Sequence, residues 1–446
     1  LKINQFENLK MGNTAVDIDL NKEIVTSFSA QDFFGAIDSR ELALMHFQKL
    51  GLPTNKSEEY RFTPIGKNLS KNFTWKTALT ESTIGSVEPF LMEGVEASVV
   101  VLVNGVYSAK LSNIKHDKNE ITVMSLTDAF KTHEAIVAQY FGKNLPTESD
   151  SFVAMNSAFW QSGVFIHVKE NTNVEKPVLI LHVNDAQTTQ VNSQTRLLAM
   201  VEKNSSLSVI EKFESIGDNY IFHNFCEEIA VKENARLEYC KVQNDAGKSI
   251  QVANTVIHQS ATSKVDTFTL TLDGEMVRNN LTIVIDGENC ESHFHGLYLL
   301  KGNTLADNHT VVDHKKPNSF SNELYKGIMD GNAKGVFNGK IFVRPHAQKT
   351  NAFQSNRNIL LSDSATVNTK PQLEIWADDV KCSHGCTSGQ LDEEALFYLR
   401  SRGIPADTAK AMLLYAFALD VLAPVKNESL KTYLDKLISD RLHKNF

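Results

Sequence analysis

The chain has 446 residues, 42% of them hydrophobic and 22% charged, so it is long enough for a large core and too apolar to remain a solvated coil. Its formal net charge of -8 excludes a protein built mainly to grip nucleic acid, which needs a surplus of Lys and Arg to displace counterions. Five cysteines, an odd number in so long a chain, read as free thiols in a reducing compartment rather than a disulfide framework.

At the start, Leu1 to Glu7 carry no signal-peptide pattern, so a cytoplasmic location is expected. Residues 1–95 read as an N-terminal helical region. Ser29-Ala30-Gln31-Asp32 caps a helix through Phe33 and Phe34, and a second runs from Arg40 to Leu50, with Leu42, Met45, His46 and Phe47 as its apolar repeat and Gly51 as its stop. The segment from Gly51 to Pro64 holds two prolines and reads as an ordered loop with no poised chemistry.

From Ala97 the pattern changes to short β-rich runs, from Ser98–Asn104 through Leu207–Phe213 and Ser292–Leu300 to Ala365–Trp376, punctuated by Gly, Asn and Asp turns rather than long helices. A dozen or more such strands bury themselves best by serial stacking, as in a parallel β-helix, over residues 96–385. No strict sequence repeat supports this. The glycines at 327, 331, 335 and 339 are interleaved with Asp330, Asn332, Lys334 and Asn338, which indicates turns and close backbone approach rather than a membrane helix face.

Residues 386–446 read as helical. Asp392, Glu393 and Glu394 place negative charge in a first turn, Arg400 and Arg402 place positive charge in the last, and Gly403 suits a left-handed stop. Ala406 to Leu422 reads as a buried helix; its apolar run from Ala411, interrupted by Asp420, is too short to span a bilayer. A third helix after Asn427 aligns Leu430, Tyr433, Leu434, Leu437 and Ile438. These helices cap the β core, meet a partner, or do both.

The chemically suggestive stretch is Lys381-Cys382-Ser383-His384-Gly385-Cys386. On a strand, Cys382, His384 and Cys386 share one face; a turn at Gly385 is the alternative. Two thiols and one imidazole fall short of the four ligands of a closed tetrahedral site, so the stretch reads either as part of a metal or thiol site or as a packed Cys beside a hydrogen-bonded His. Glu291, His293 and His295 form a second strand-face triad, the seed of an open metal site or merely an ordinary strand. His309, Asp313 and His314 are ambiguous in the same way, with a solvent face or a turn as the simpler reading. Cys226, Cys240 and Cys290 read as core thiols. No Gly-x-Ser-x-Gly elbow, His-Glu-x-x-His helix or Gly-x-x-x-x-Gly-Lys phosphate loop occurs, so neither hydrolase chemistry nor ATP hydrolysis is expected of this chain.

The residues from Ala377 to Gly385, then Gly389-Gln390-Leu391-Asp392 and Leu396 to Ile404, resemble the C-terminal signature of the SufB/SufD family of iron–sulfur cluster assembly proteins. The likeness extends to Val311-Val312-Asp313-His314, Ser321 to Gly327, Phe337 to Ile341 and Leu360-Leu361-Ser362. Of the two branches the SufD form is the more similar, through Gly385, Gly389 and the loop from Gly51 to Tyr60; Cys386 stands where Ala is usual. The resemblance implies a right-handed parallel β-helix between helical ends and a non-enzymatic scaffold. It also implies a heterodimer with SufB, docking of the ATPase SufC on the C-terminal helices, and a homodimer as an option for the isolated chain. No firmly bound cofactor is implied. His384 first and Cys382 second match the family positions for transient ligation of iron or an iron–sulfur cluster at the SufB/SufD interface. A β-helix acting on polysaccharide and a metal-dependent enzyme built on His293 and His295 are the competing readings.

Overall fold

The computed structural model describes residues 19–29, 37–75, 82, 84–245 and 247–445. Its centre is a parallel β-helix, in which successive strands alternate between two sheets. One sheet runs in the order β2 (Val106–Tyr107), β1 (Ser98–Val103), β5 (Val178–Asp185), β7 (Ser206–Ile216), β9 (Arg236–Asn244), β11 (Lys264–Asp273), β13 (Glu291–Leu300), β15 (Phe320–Met329), β17 (Asn351–Leu360) and β19 (Lys381–Gly389). The other runs in the order β3 (Ile121–Ser125), β4 (Ser162–Val168), β6 (Val191–Val201), β8 (Ile221–Val231), β10 (Ser249–Gln259), β12 (Met276–Ile285), β14 (Leu305–His314), β16 (Lys334–Val343) and β18 (Thr366–Ile375). Only the β1–β2 and β3–β4 pairs are antiparallel among the described residues.

The repeat that the sequence hides lies at the corners. Asn171, Asn204, Asn234, Thr262, Asn289, Asn318 and Lys349 recur about one coil apart, each with φ between +55° and +62°. Asn tolerates this left-handed conformation better than most side chains. The stacked amides also bond to one another: Asn234 Nδ2 donates to Asn204 Oδ1 at 2.9 Å, and Asn204 Nδ2 to Asn171 Oδ1 at 2.8 Å. Backbone conformation thus repeats where residue identity does not.

Alternation along each strand sends every second side chain into the lumen. There Val209, Leu237, Val265, Phe294, Tyr325 and Ala352 of one sheet meet Val201, Ile229, Ile257, Ile283, Val312 and Ile341 of the other in one apolar cluster. Strands β8, β14, β15, β17 and β19 lack the clean apolar alternation that marks a strand in sequence, because many of their inward positions are polar.

Both outer faces are covered in part by helices. α1 (Leu20–Thr26), α2 (Ile37–Leu50), α3 (Ile65–Asn72) and α6 (Ser151–Phe159) bury Ile24, Phe47, Ile65 and Phe152 against Phe222, Ile250 and Val252 of β8 and β10. α2 does end at Gly51, whose φ is +63°, and it buries Phe47 as the apolar repeat suggests, but it turns Ala43 inward and leaves Leu42 and Met45 exposed. The helix expected through Phe33 and Phe34 lies outside the described residues. Two further short helices, α4 (Leu126–Thr132) and α5 (Glu134–Tyr140), pack beside β4 and β6 around Trp160 and Phe165.

The C-terminal helices are α7 (Glu393–Ser401), α8 (Ala406–Ala418) and α9 (Glu428–Asn445). Asp392 caps α7 by accepting from the Ala395 amide, and Gly403 takes φ +85°. α8 and α9 fold back over the outer face of β5 to β15, where Leu414, Leu430, Leu434, Ile438 and Leu442 meet Leu179, Ile210, Val242, Leu270, Leu297 and Ile328. α7 buries no residue. No helix among the described residues is long and apolar enough to cross a membrane.

Candidate functional site

The last coil differs from those before it. β19 is hydrogen-bonded to β17 on one side and β18 to β16 on one side, and each is the terminal strand of its sheet. Their outer edges therefore present unpaired backbone N–H and C=O groups, a template for another strand.

Cys382 packs against the lumen cluster, which fixes the face: Cys382, His384 and Cys386 all point to the lumen side of β19. They stand in register above Ala352, Gln354 and Asn356 of β17. Alternate residues on a strand are roughly 7 Å apart, so the three offer ligands side by side rather than around one point. Accordingly, among the described residues no three His, Cys, Asp or Glu side chains converge as a metal site. Cys382 is half-buried and burial raises its thiol; Cys386 is exposed, and so is His384.

The floor beneath them is made of amides. Asn356 Nδ2 donates to Tyr298 Oη at 3.1 Å and to the Tyr325 carbonyl at 3.2 Å, and Asn358 Nδ2 donates to Asn356 Oδ1 at 2.7 Å. The tyrosines fit because a neighbouring position lacks a side chain: a Cβ on Gly327 would lie 2.1 Å from the Tyr298 ring.

The remaining sequence candidates are drawn into structural roles. Glu291, His293 and His295 do share the outer face of β13, but His293 Nε2 sits 2.6 Å from Glu291 Oε1, which Lys264 also holds at 2.6 Å. His295 is buried, and burial lowers its imidazole to about 4. Asp313 is held by two nitrogens of Arg344, and His314 points into the lumen beside Ser321 at 2.9 Å. Cys226, Cys240 and Cys290 are buried; burial pushes Cys226 up to about 12 and raises the other two. A buried thiol so hard to ionise is inert.

One cluster escaped the sequence reading. The loop from Gly51 to Pro64 lies across the outer face of β12 to β18 and closes a cleft of about 390 Å³. Glu59 reaches His309 Nδ1 at 3.2 Å and Lys340 Nζ at 2.7 Å, and the His309 hydrogen bond, opposed by burial, leads in lowering Glu59 to about 2. His309 Nε2 lies 3.0 Å from Asp307 Oδ1, and Asp307 pairs with Arg278 at 2.5 Å and with Thr63. Asp307 and His309 are two apart on one strand, but Glu59, Arg278 and Lys340 join them only through tertiary structure, so sequence spacing shows at most that one pair.

Comparison with known proteins adds the decisive observation. Residues 182–417 match the family model described as SUF system FeS cluster assembly, SufBD core domain, and residues 18–180 match the SufBD protein N-terminal region. The chain belongs to the SufB/SufD family. Within it, an iron-sulfur cluster assembly SufBD family protein of Synechocystis is 31% identical over 442 residues, 97% of each chain. The iron-sulfur cluster assembly protein SufD of Escherichia coli is 31% identical over 410 residues, 90% of this chain and 92% of that one. SufD of Bacillus subtilis is 29% identical over 322 residues, 71% of this chain and 72% of its own. The core match takes in every strand from β6 to β19 together with α7, so the open last coil lies inside the SufBD core.

Proposed function

We propose that this chain is a non-catalytic, SufD-type scaffold subunit of a cytoplasmic SUF assembly complex. It pairs through its open last coil with a SufB-type partner and binds a SufC-type ATPase through its C-terminal helices. The single observation that carries the reading is the position of Cys382 and His384: they lie on a terminal strand of the β-helix, facing a lumen that a second strand edge can cover. A partner adding strands to β18 and β19 satisfies their free backbone groups and brings further ligands over Cys382 and His384. Thiolate and imidazole suit labile iron–sulfur species, the cargo of the complex. His384 is the first candidate for transient ligation of iron or the cluster and Cys382 the second; Cys386 adds an exposed thiol. Without a partner the same edge is open to a second copy of the chain.

The helical end supports the ATPase half of the proposal. α7 leaves Phe397 74% and Tyr398 57% exposed, beside the α8–α9 pair that is locked onto the β-helix, so a push on α7 is delivered close to β19. The chain itself has no phosphate loop. Co-expression with SufB-type and SufC-type partners tests the reading: both partners co-purify with the wild-type chain, and deleting residues 393–446 releases the ATPase. Absence of the ATPase from the wild-type complex contradicts the scaffold proposal.

A further inference from the structure

Three observations meet one coil inside His384. First, Glu323, Gln354 and His384 are successive members of one register column on β15, β17 and β19, and all face the lumen. Second, Gln354 Nε2 donates to Glu323 Oε2 at 2.7 Å, while Gln354 Oε1, in a side chain only 3% exposed, has no hydrogen-bond partner. Third, the opposite wall is cut away for this amide: a Cβ on Gly339 of β16 would lie 2.0 Å from Gln354 Nε2.

The hydrogen bond to Glu323 decides which way the amide faces. With its nitrogen committed to the β15 side, the amide leaves its oxygen for the other neighbour in register, and an amide oxygen only accepts. A buried acceptor without a donor is costly. The side chain next in the column, about 5 Å away across parallel strands, is His384, whose ring carries an N–H. We infer that the exposed His384 side chain turns a ring N–H onto this vacant oxygen, so that Gln354, held by Glu323, is the acceptor that orients the imidazole, which makes Glu323 and Gln354 positioning residues. An imidazole that donates from one nitrogen keeps its lone pair on the other, the arrangement that a ligating or proton-accepting histidine requires. On this geometry the free nitrogen faces outward, toward the covering edge. The column is thus a fixed tautomer selector inside the lumen, and its value to cluster assembly rests on His384 being the ligand proposed above.

The test reads the tautomer without metal or partner. Histidine-selective 15N labelling of the metal-free chain, at about pH 8 where imidazole is neutral, gives the shifts of both ring nitrogens, and His384→Gln identifies the signals. In the wild-type chain one nitrogen reads as protonated and the other as bare. In Gln354→Leu, or in Gln354→Met should Leu unfold the coil, both shifts move toward the averaged values of a free imidazole. The exchange variant Glu323→Gln/Gln354→Glu rebuilds the ladder with donor and acceptor interchanged and restores the split. Identical shifts in the wild type and the Gln354 variants overturn the inference, as does a double exchange that behaves like the single loss. Unchanged cluster yield in His384→Ala complexes removes the ligand role while leaving the tautomer result standing, so the two claims fail separately.

Discussion

The middle of the β-helix and its last coil both turn polar side chains inward, but they treat them differently. In the middle, Glu211, Glu227, Tyr239 and Lys241 are all buried and satisfy one another. Tyr239 Oη donates to Glu211 Oε2 at 2.6 Å, and Lys241 Nζ reaches Glu227 Oε2 at 3.0 Å and Glu211 at 3.8 Å. At the end, Gln354 keeps a vacant acceptor and Cys382, His384 and Cys386 face an open edge. Inward polarity alone therefore does not mark a site. The charged cluster of the middle closes on itself, whereas the groups of the last coil stand at a sheet edge that another chain can complete.

The largest effect expected from breaking this contrast is in the middle. Lys241→Met removes the one cation that Glu211 and Glu227 share in the buried lumen and should cost about 3 kcal/mol of stability, read as a lower denaturant midpoint. His384→Ala and Cys382→Ala remove exposed or half-buried groups and should stay within about 0.5 kcal/mol. In the assembled complex the order reverses. His384→Ala should lower iron and sulfide bound per complex by about tenfold or more, the scale of disturbing a ligand's surroundings, and Cys382→Ala by less, whereas the midpoint of the free chain stays put.

A pH series sharpens the same comparison. Burial, followed by the adjacent Glu211, raises Glu227 from 4.5 to about 8, so the folded lumen holds this proton more tightly than the unfolded chain. Its contribution is complete below pH 4.5 and is lost as the pH climbs through 8. Stability should therefore fall across that window, and Glu227→Gln should flatten the slope. At the outer cleft the sign is opposite. Glu59, lowered from 4.5 to about 2, contributes above pH 4.5 and loses its contribution as the pH falls toward 2. Glu59→Gln should be far milder than Lys241→Met, below about 1 kcal/mol at neutral pH for a partly exposed pair, and should remove that acid-side loss in thermal melts.

The amino-acid pattern makes a good part of this legible. Stacked strands, helical ends and the strand-face alignment of Cys382, His384 and Cys386 follow from alternation and turn residues. The strands that alternation missed are those whose inward positions are polar, β17 with Gln354, Asn356 and Asn358 above all, because a lumen can satisfy amides that a sandwich core would reject. The coil repeat stayed hidden because it resides in the left-handed corners, where Thr262 and Lys349 interrupt the run of Asn while keeping its backbone conformation. The face of α2 was misread at Leu42 and Met45 because they are larger and more apolar than Ala43, yet Ala43 is the residue buried in the cluster that α2 shares with α6. The cleft of Glu59, His309 and Asp307 was missed because Glu59 and Arg278 reach the Asp307–His309 pair of β14 from segments far away in the chain.

Amide hydrogen exchange on residues 366–375 and 381–389, in the free chain and in the complex with a SufB-type partner, tests the central claim most directly. If the open last coil is the assembling edge, the outward-facing amides of β18 and β19 exchange fast in the free chain and become protected in the complex, while the coils from β7 to β13 stay protected in both. Unchanged exchange at β18 and β19 in a complex that has formed would contradict the account.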